Sequence, residues 1–327
     1  MNIYDIAREA GVSISTVSRV LNDKNVSAEN AEKIKRAMEK LGYVPNAVAR
    51  GLANKSTKTI GILSVDIRVP HYATTTYIME QELSQAGYTV IVCNTGGSAT
   101  KNHQYIRTLV EKQVDGLLMV GSVFEQVQEN RATMDILQNI PVVITNGRLK
   151  LPHAYSVMVN DEMGIRMAVD HLAEKGREDI VFIRDLHTES ANRKRAGYLE
   201  AMKGRGLQDK AFVHATEYGL EGGRKAAREL LVSGRPINGV ICAEDLTALG
   251  FVKELIASGV SVPEAVSVIG FNNSDYALIS TPELSTVDNK VETFSSLAVQ
   301  ILRCAIEGKT CASVVVEPEL IIRQTSV

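Results

Sequence analysis

The chain has 327 residues, 45% of them hydrophobic, and a formal charge of −2. It is therefore long enough for two or three domain cores, and its overall charge indicates no particular partner. No apolar run reaches the roughly 20 residues that cross a membrane, and we expect no signal peptide at the N-terminus. The cysteines form no C-x-x-C pair and have no histidine at a metal-ligand spacing: Cys93, Cys242, Cys304 and Cys311. Reduced thiols, no metal site, no membrane contact and a cytoplasmic location are expected.

Charge is distributed unevenly along the chain. Residues 1–58 hold ten Lys and Arg against six Asp and Glu, a net charge of +4, which leaves −6 for the remainder. A basic N-terminal segment on an acidic body is expected of an appendage that contacts DNA, although so small an excess is also typical of a solvated surface.

The first 21 residues have the pattern of two short helices joined by a turn. The first helix has its apolar residues at helical spacing, namely Ile3, Ile6, Ala7 and Ala10. Gly11 can end that helix in a left-handed conformation, and Ser13 is a suitable cap for the next. The second helix, over residues 14–21, buries Val17, Val20 and Leu21. Two helices joined by a short turn that contains glycine form a helix-turn-helix unit.

A third helix and a linker follow. The helix opens at Ser27, ends at Gly42 and has its apolar positions at Ala31, Ile34, Met38 and Leu41. Pro45 marks a boundary after it. Residues 47–53 have the composition of a short helix, but a helix of that length is marginal in water. The segment through Lys58 is therefore predicted to be a linker that folds when docked.

From residue 59 onward, short apolar strands alternate with amphipathic helices. The first set of predicted strands covers residues 60–65, 88–93, 116–120 and 142–145, and the second covers residues 180–183, 212–214, 239–242 and 267–270. This alternation predicts parallel sheets built from right-handed βαβ units, in two similar subdomains. Ligands of such folds lie beyond the carboxyl ends of the strands, so the cleft between the subdomains is the expected pocket.

Two dense motifs identify a known family. The stretch from Asp5 to Asn22, DIAREAGVSISTVSRVLN, resembles the headpiece of the lac repressor (LacI/GalR) family. The stretch from Leu41 to Leu52, LGYVPNAVARGL, is similar to the hinge of that family. Weaker core matches follow in the right order: VDGLL at 114–118, VIGFNN at 268–273 and PELSTV at 282–287. The resemblance covers essentially the whole chain.

The resemblance implies a fold and a domain organisation. The fold is an all-α helix-turn-helix headpiece followed by an α/β core of two Rossmann-like subdomains, related to periplasmic sugar-binding proteins. We expect the headpiece at residues 1–46, the hinge at 47–58 and the core at 59–327. The N-subdomain is expected at about 59–158 and 288–318, and the C-subdomain at about 159–287 and 319–327. The partners implied are a double-stranded DNA operator with two-fold pseudosymmetry, a second copy of the chain and a small-molecule effector.

The family pattern also implies which side chains contact DNA. Ile14, Ser15 and Arg19 occupy base-reading positions, and Arg19 is suited to a bidentate contact with guanine O6 and N7. Phosphate contacts, which set register without reading sequence, are implied for Tyr4, Thr16, Ser18, Asn22 and Asn46. Ala49 and Leu52 belong to hinge helices that enter the minor groove, where the leucine wedges into the central base step. For the Ser and Thr residues, helix capping or solvation is the alternative. For Leu52, the alternative is packing between hinge and core.

Effector contacts are implied only where core motifs match. The candidates are Asp66, His71, Tyr72, Asn160, Lys194, Asp245 and Asn272. Lys194 stands where the family usually has Arg, which replaces a planar fork with a point charge. Asn272 stands where an Asp is usual, which removes a charge that grips sugar hydroxyls. A carbohydrate-related metabolite is slightly favoured over a modified or anionic small molecule, a protein co-regulator or no effector.

Other classes of protein find little support in the sequence. Gly308-Lys309-Thr310 lacks the preceding glycine of a phosphate loop, because position 303 is Arg303. No G-x-G-x-x-G follows a strand, and no G-x-S-x-G or metal-ligand cluster is present, so no catalytic residue, cofactor or enzymatic activity is expected. A solute-binding protein would suit the core but would not need residues 1–58. A dimer, as the resemblance implies, is the default expectation; a tetramer would need a C-terminal heptad extension, and no heptad pattern follows the core.

Overall fold

A computed structural model gives the fold and describes residues 2–21, 25–43 and 56–326. The chain forms two compact units, one of Met1–Thr59 with Lys112–Asp115 and the other of Ile60–Glu111 with Gly116–Val327. Among the described residues, no helix is long and apolar enough to cross a membrane.

The first unit contains three helices, α1 (Ile3–Ala10), α2 (Ile14–Leu21) and α3 (Ala28–Leu41). Their apolar faces meet in a small core whose buried members are Ile6, Ala7, Val17, Ile34 and Ala37. The predicted helices and their packing faces are confirmed, because apolar side chains at helical spacing form one stripe that is removed from water.

The helix ends are fixed by the residue types that favour them. Asn2 caps α1 and forms a reciprocal capping box with Asp5. Gly11 follows α1 with a φ of 65°, a left-handed conformation that costs glycine little. Ser13 Oγ accepts a hydrogen bond from the Thr16 amide at 3.1 Å, which caps α2 as predicted. The turn between the two helices is therefore set locally.

A polar clasp lies at the end of the linker, within the same unit. Asp115 accepts from the Thr57 amide at 2.8 Å and from the Ser56 hydroxyl at 2.5 Å. The Lys58 amide donates to the same carboxylate at 3.1 Å, and the Thr57 hydroxyl also donates to the Gln113 carbonyl at 2.8 Å. One carboxylate thus gathers donors from three successive residues, just before the next buried strand begins.

The second unit contains two six-stranded sheets. In the order in which they lie across the first sheet, its strands are β11 (Val314–Val316), β5 (Ala154–Val159), β4 (Val142–Thr145), β3 (Gly116–Val120), β1 (Thr59–Ser64) and β2 (Thr89–Asn94). The second sheet is ordered β12 (Glu319–Ile321), β10 (Ser285–Asp288), β9 (Ser267–Phe271), β8 (Gly239–Cys242), β6 (Ile180–Arg184) and β7 (Phe212–Ala215). In the first sheet, the four pairs from β11 through β5, β4 and β3 to β1 are parallel. In the second sheet, the four pairs from β10 through β9, β8 and β6 to β7 are parallel, whereas β10 and β12 are antiparallel.

Helices cover the sheets. Those associated with the first sheet are α4 (Pro70–Gln85), α5 (Ala99–Glu111), α6 (Arg131–Leu137) and α12 (Val291–Ile306), together with a 3-10 segment at Ser122–Glu129. Those associated with the second are α7 (Asp161–Glu174), α8 (Glu189–Gly204), α9 (Leu220–Val232), α10 (Asp245–Ala257) and α11 (Asp275–Ile279), with a 3-10 turn at Gln208–Lys210. The buried strands are almost continuously apolar, as expected for parallel strands with both faces covered.

The chain passes between the sheets more than once. After β10 in the second sheet, α12 packs on the first sheet through Phe294, Ala298 and Leu302, and β11 then joins that sheet. The chain returns at once to the second sheet through β12. The predicted fold class, a helix-turn-helix headpiece with an α/β core of two similar subdomains, is confirmed.

Candidate nucleic-acid interface and effector cleft

The outer face of α2 carries the side chains predicted to read bases. Ser15 and Arg19 are exposed, and Ile14 is 43% exposed although it is apolar. Among the described residues, no carboxylate forms an ion pair with Arg19. The helix therefore presents a guanidinium, a hydroxyl and an aliphatic side chain on one short surface while Val17 holds the opposite face in the core.

The hydroxyl groups of this turn have partners within the turn. Ser13 Oγ lies 2.8 Å from Ser15 Oγ and 2.7 Å from Thr16 Oγ1. This network fits the capping role that the sequence left open for Ser and Thr. Tyr4 is 61% exposed, and Thr16 and Ser18 are half-buried. The remaining predicted DNA contacts, Asn22, Asn46, Ala49 and Leu52, lie outside the described residues.

The core has a polar chamber between its two sheets, just past the carboxyl ends of the strands. Each segment that lines it follows a strand or opens the next helix. The chamber is lined by His71, Tyr72, Gly121, Ser122, Asn146, Asp161, Leu186, Thr188, Ser190, Ala191, Lys194, Ala243, Glu244, Phe271, Asn272 and Asn289. Its volume is about 30 Å³, room for about two water molecules. A wider groove of about 700 Å³ adjoins it and shares His71 and Asn272.

Lys194 is the buried cation of the chamber. Its Nζ donates to the Ala243 carbonyl at 2.8 Å and lies 3.4 Å from Glu244 Oε1. The same ammonium sits 3.7 Å from the centre of the Phe271 ring. A carbonyl, a carboxylate and an aromatic face together compensate the loss of water around the charge.

A hydrogen-bond chain continues from this lysine across the floor of the cleft. Asn272 donates to Glu244, and Asn289 Nδ2 donates to Asn272 Oδ1 at 2.9 Å. Asn289 Nδ2 also lies 3.2 Å from His71 Nδ1. Burial lowers the pKa of His71 to about 4, so a neutral ring accepts this bond through Nδ1. This series of hydrogen bonds connects α4, which packs beside the first sheet, with loops of the second sheet.

Two further hydrogen bonds close the cleft from one side to the other. Arg193 Nη2 donates to the Asn146 carbonyl at 2.7 Å, and the Ser190 amide donates to Ser122 Oγ at 3.2 Å. Arg193 also pairs with Asp161 at 3.2 Å. In this arrangement, hydrogen bonds between side chains and backbone groups bridge the cleft and leave only the small chamber between its sides.

The predicted effector residues divide into two groups. His71, Tyr72, Lys194 and Asn272 line the chamber together. Asp66, Asn160 and Asp245 do not line it.

Each residue of the second group has another partner. Asp66 pairs with the exposed Arg68 at 2.6 Å, and Asn160 caps α7 through the Met163 amide at 3.2 Å. Asp245 accepts from Thr286 Oγ1 at 2.5 Å and from the Ser274 amide at 2.7 Å, which fastens the loop after β9.

The sequence prediction did not include several chamber residues: Asn146, Asp161, Ser190, Glu244 and Asn289. Two of these stand one position away from a predicted contact. Asp161 follows Asn160, and Glu244 precedes Asp245. Each pair lies where a strand turns into a helix, so the turn decides which member points into the chamber. A search for polar pairs at such turns would have found both.

Burial changes the acidity of the chamber carboxyl groups. It raises the pKa of Asp161 above its usual value although Lys194 and Arg193 lie nearby. It raises the pKa of Glu244 as well, and the neighbouring Asp185 and Asp245 add to that effect. Burial raises the pKa of Asp245 to about 6 against the hydrogen bonds it accepts. Burial therefore favours the protonated form of all three carboxyl groups.

Two asparagines at the cleft have unusual backbone angles. Asn146 has a φ of 53° and Asn272 a φ of 106°. Asparagine tolerates the left-handed region better than other residues that carry a Cβ, but the second value lies beyond that region. Strain of this kind persists where the surroundings fix a functional geometry. Here it directs the Asn272 amide between Glu244 and Asn289.

Within the described residues, no cluster of His, Cys, Asp and Glu is arranged to hold a metal ion.

Comparison with known proteins agrees with this architecture. Residues 2–46 match the profile described as "Bacterial regulatory proteins, lacI family", and residues 169–326 match that of a "Periplasmic binding protein-like domain". An "HTH-type transcriptional regulator" of Lachnoclostridium phytofermentans is 34% identical over 100% of this chain and 99% of its own.

Two solved structures are similar over nearly their full length. The lac repressor dimer bound to operator and the anti-inducer ONPF has a TM-score of 0.89 and 25% identity, with 100% of this chain and 99% of that chain covered. The complex of the transcriptional regulator CelR with cellobiose has a TM-score of 0.72 and 27% identity, with both chains fully covered. The chain belongs to the lacI family of bacterial regulatory proteins. It is a DNA-binding transcriptional regulator, and its relatives are regulators rather than enzymes.

Proposed function

We propose that the protein is a cytoplasmic, homodimeric repressor that binds an operator with two-fold pseudosymmetry and responds to a small, sugar-related molecule in the cleft. The observation that carries the proposal is the pairing of two sites in one chain. An exposed α2 face offers Arg19, and an enclosed polar chamber lies between two sheets. Relatives with the same two parts bind operator DNA in one case and cellobiose in another.

On DNA, α2 enters the major groove. Arg19 reads guanine, Ser15 contributes its hydroxyl and Ile14 contacts a thymine methyl. Tyr4, Thr16 and Ser18 are proposed to contact phosphates and set the register of the helix. In this assignment Ser15 and Thr16 exchange their bonds to Ser13 for contacts with the duplex.

Leu52 is proposed to wedge into the central step of the operator from the minor groove. Unstacking a base step costs a few kcal/mol, which is offset by the contacts that kinked DNA permits. Leu52→Ala is therefore expected to weaken operator binding strongly while the dimer mass in sedimentation stays the same. Unchanged operator affinity in this variant would show that the leucine is no wedge.

In the core, the ligand acts by its difference in affinity for two arrangements of the cleft. A ligand with equal affinity for both would change nothing, however tightly it bound. The closed cleft described above, held by Arg193 and Ser190, is one such arrangement. A sugar-sized molecule requires more than 30 Å³, so we expect its binding in the chamber to widen the cleft and to rearrange these bonds.

A deletion separates this function from that of a solute-binding protein. A chain that lacks residues 1–58 is expected to lose retention on DNA while it still binds the effector. Gel retardation and calorimetry measure the two activities. DNA retention by the truncated chain would contradict the proposal. If the full-length protein binds its operator and no metabolite extract changes that binding, the small-molecule effector is excluded from the proposal. Control by a protein co-regulator is then favoured.

A further inference from the structure

The chamber already provides a seat for an organic cation, and Lys194 occupies it. This side chain is only 4% exposed, yet its ammonium meets a carbonyl, a carboxylate and an aromatic face within 3.7 Å. These three kinds of group are the partners that bind ammonium ions in proteins.

The seat is surrounded by more acid than two cations balance. Four carboxyl groups interact electrostatically with Lys194: Asp161 and Glu244, which line the chamber, and the buried Asp185 and Asp245, which lie outside its lining. Arg193 is occupied by Asp161 and by the Asn146 carbonyl. An anionic ligand would therefore meet an excess of like charge and, among the described residues, no cation that is not already engaged.

Hydrogen-bond acceptors also exceed donors in this region. Asn289 lines the chamber and is 2% exposed, and within the described residues its Oδ1 has no hydrogen-bond partner. The buried Asp185 Oδ1 likewise lacks one. An unsatisfied buried acceptor costs about 1–3 kcal/mol, so such groups in native proteins usually meet a donor from water or a ligand. The chamber is complementary to a ligand rich in donors.

We propose that the effector carries a protonated amine on a small hydroxyl-bearing body, such as an amino sugar, and that its ammonium binds between Glu244 and Asn289. This inference rests on the proposed effector function of the same cleft and assigns the chemical class of its ligand. The ammonium supplies the donor that Asn289 Oδ1 lacks among the described residues, and it gives Glu244 a second cationic partner beside Lys194. A neutral sugar would supply hydrogen-bond donors but no positive charge.

The test fractionates a deproteinised extract of cells that express the protein. The probes are the fraction retained on a cation-exchange resin and the flow-through, each added to full-length protein and its selected operator. The retained fraction is expected to raise the melting temperature and change operator affinity. Treatment of that fraction with acetic anhydride in aqueous bicarbonate, which converts amines to neutral amides, is expected to abolish both effects.

Variants locate the site. Glu244→Gln is expected to weaken binding of the active component by about tenfold or more, the loss that follows from removing one charge-assisted hydrogen bond. Glu178→Gln removes an exposed carboxylate that pairs with Lys210 at 2.8 Å, and it is expected to bind the component as the parent does. Circular dichroism and the melting temperature without ligand report whether each variant folds.

The outcomes distinguish this inference from the proposal beneath it. Activity in the flow-through, or activity that survives acetylation, overturns the amine while the effector function stands. Equal binding of the active component by Glu244→Gln and the parent removes Glu244 from the site and overturns the assignment. An extract with no activity in any fraction contradicts the proposed effector function and this inference with it.

Discussion

Arg19 carries most of the expected base discrimination of the headpiece. It lies on the exposed face of α2, whose register is set by the Ser13 cap and by Val17 in the core. A guanidinium makes two parallel bonds to guanine, whereas an ammonium makes a single contact with no fixed fork. The identity of this one side chain therefore matters more than its charge.

Arg19→Lys is predicted to cost about 1–3 kcal/mol of discrimination against the wrong base pair, with a smaller loss of binding to random DNA. Competition binding of the selected operator against a single-base variant measures it. Arg36→Lys, on α3 and paired with Glu32 at 3.0 Å, is the matched control and should leave discrimination unchanged. An Arg19→Lys protein that discriminates as well as the parent would contradict the assignment.

Glu244 makes the stability of the core depend on pH. Burial raises the pKa of its carboxyl above the usual value of 4.5, which the unfolded chain retains. Stability from such a group is fully present below pH 4.5 and is lost as the pH rises toward the raised folded-state value. The melting temperature of Glu244→Gln, measured relative to that of the parent, is thus predicted to increase as the pH rises from about 5 to about 8.

Melting curves across this range test the sign. The control is again Glu178→Gln. The hydrogen bond from Lys210 lowers the pKa of Glu178 in the folded protein. Its carboxyl is therefore largely ionised in both the folded and the unfolded chain above about pH 5, where the curves begin. Its difference from the parent should stay constant. A Glu244→Gln difference that shrinks with rising pH would show that the carboxyl is stabilised in its ionised form.

Individual residues of the cleft also show which contacts the sequence could predict and which it could not. Lys194 and Asn272 were found because they replace other residues within recognisable motifs. Glu244 and Asp161 were not found, because only the angle of a strand-to-helix turn decides which of two adjacent polar residues points inward. Their raised pKa values follow from burial by segments distant in sequence, which no local pattern encodes.

The helices and strands were predictable to the extent that their signals are local. α1, α2 and α3 follow from helical spacing, Ser13 and Gly11. The eight predicted strands all have counterparts, and most of them are buried apolar runs, although β2 and β7 at the sheet edges are partly exposed. Four strands were not predicted: β5, β10, β11 and β12. Of these, β11 and β12 have only three residues each, too few for a periodic signal. Their place in the sheets depends on how the chain crosses between them, which is a property of the tertiary fold.

The Asp115 clasp is an element of the fold that the VDGLL motif did not reveal. The carboxylate binds Ser56, Thr57 and Lys58 at the end of the linker. Asp115→Ala is predicted to increase hydrogen exchange in the peptide that contains the Thr57 and Lys58 amides, because both lose their acceptor. Glu111→Ala, which removes an exposed pair with Arg107 at 2.7 Å, serves as the control.

Mass spectrometry of exchanged peptides makes the comparison directly. Equal protection of the linker peptide in Asp115→Ala and in the parent would mean that the clasp contributes little. A faster rate confined to this peptide would identify Asp115 as the group that fixes the end of the linker.

The whole molecule combines two features, each of which lies in a different unit. The three-helix unit exposes Arg19 together with Ile14 and Ser15 on one face of α2. The two-sheet unit has a polar chamber whose closure depends on a few hydrogen bonds between its halves, chiefly those of Arg193 and Ser190. A ligand that favours one arrangement of the chamber by about 1.4 kcal/mol changes its population ratio tenfold. Under the proposed function, modest binding energy in the cleft is thus enough to regulate DNA occupancy.

The central claim is that α2 reads a defined DNA sequence, and selection of bound duplexes from a random library tests it most directly. Purified full-length protein is predicted to enrich one motif with two-fold symmetry, with a conserved guanine in each half that becomes dispensable in Arg19→Ala. The same selection with cell extract added should enrich the same motif at a different level. No preference for any symmetric duplex over bulk competitor DNA, with or without extract, would contradict the account.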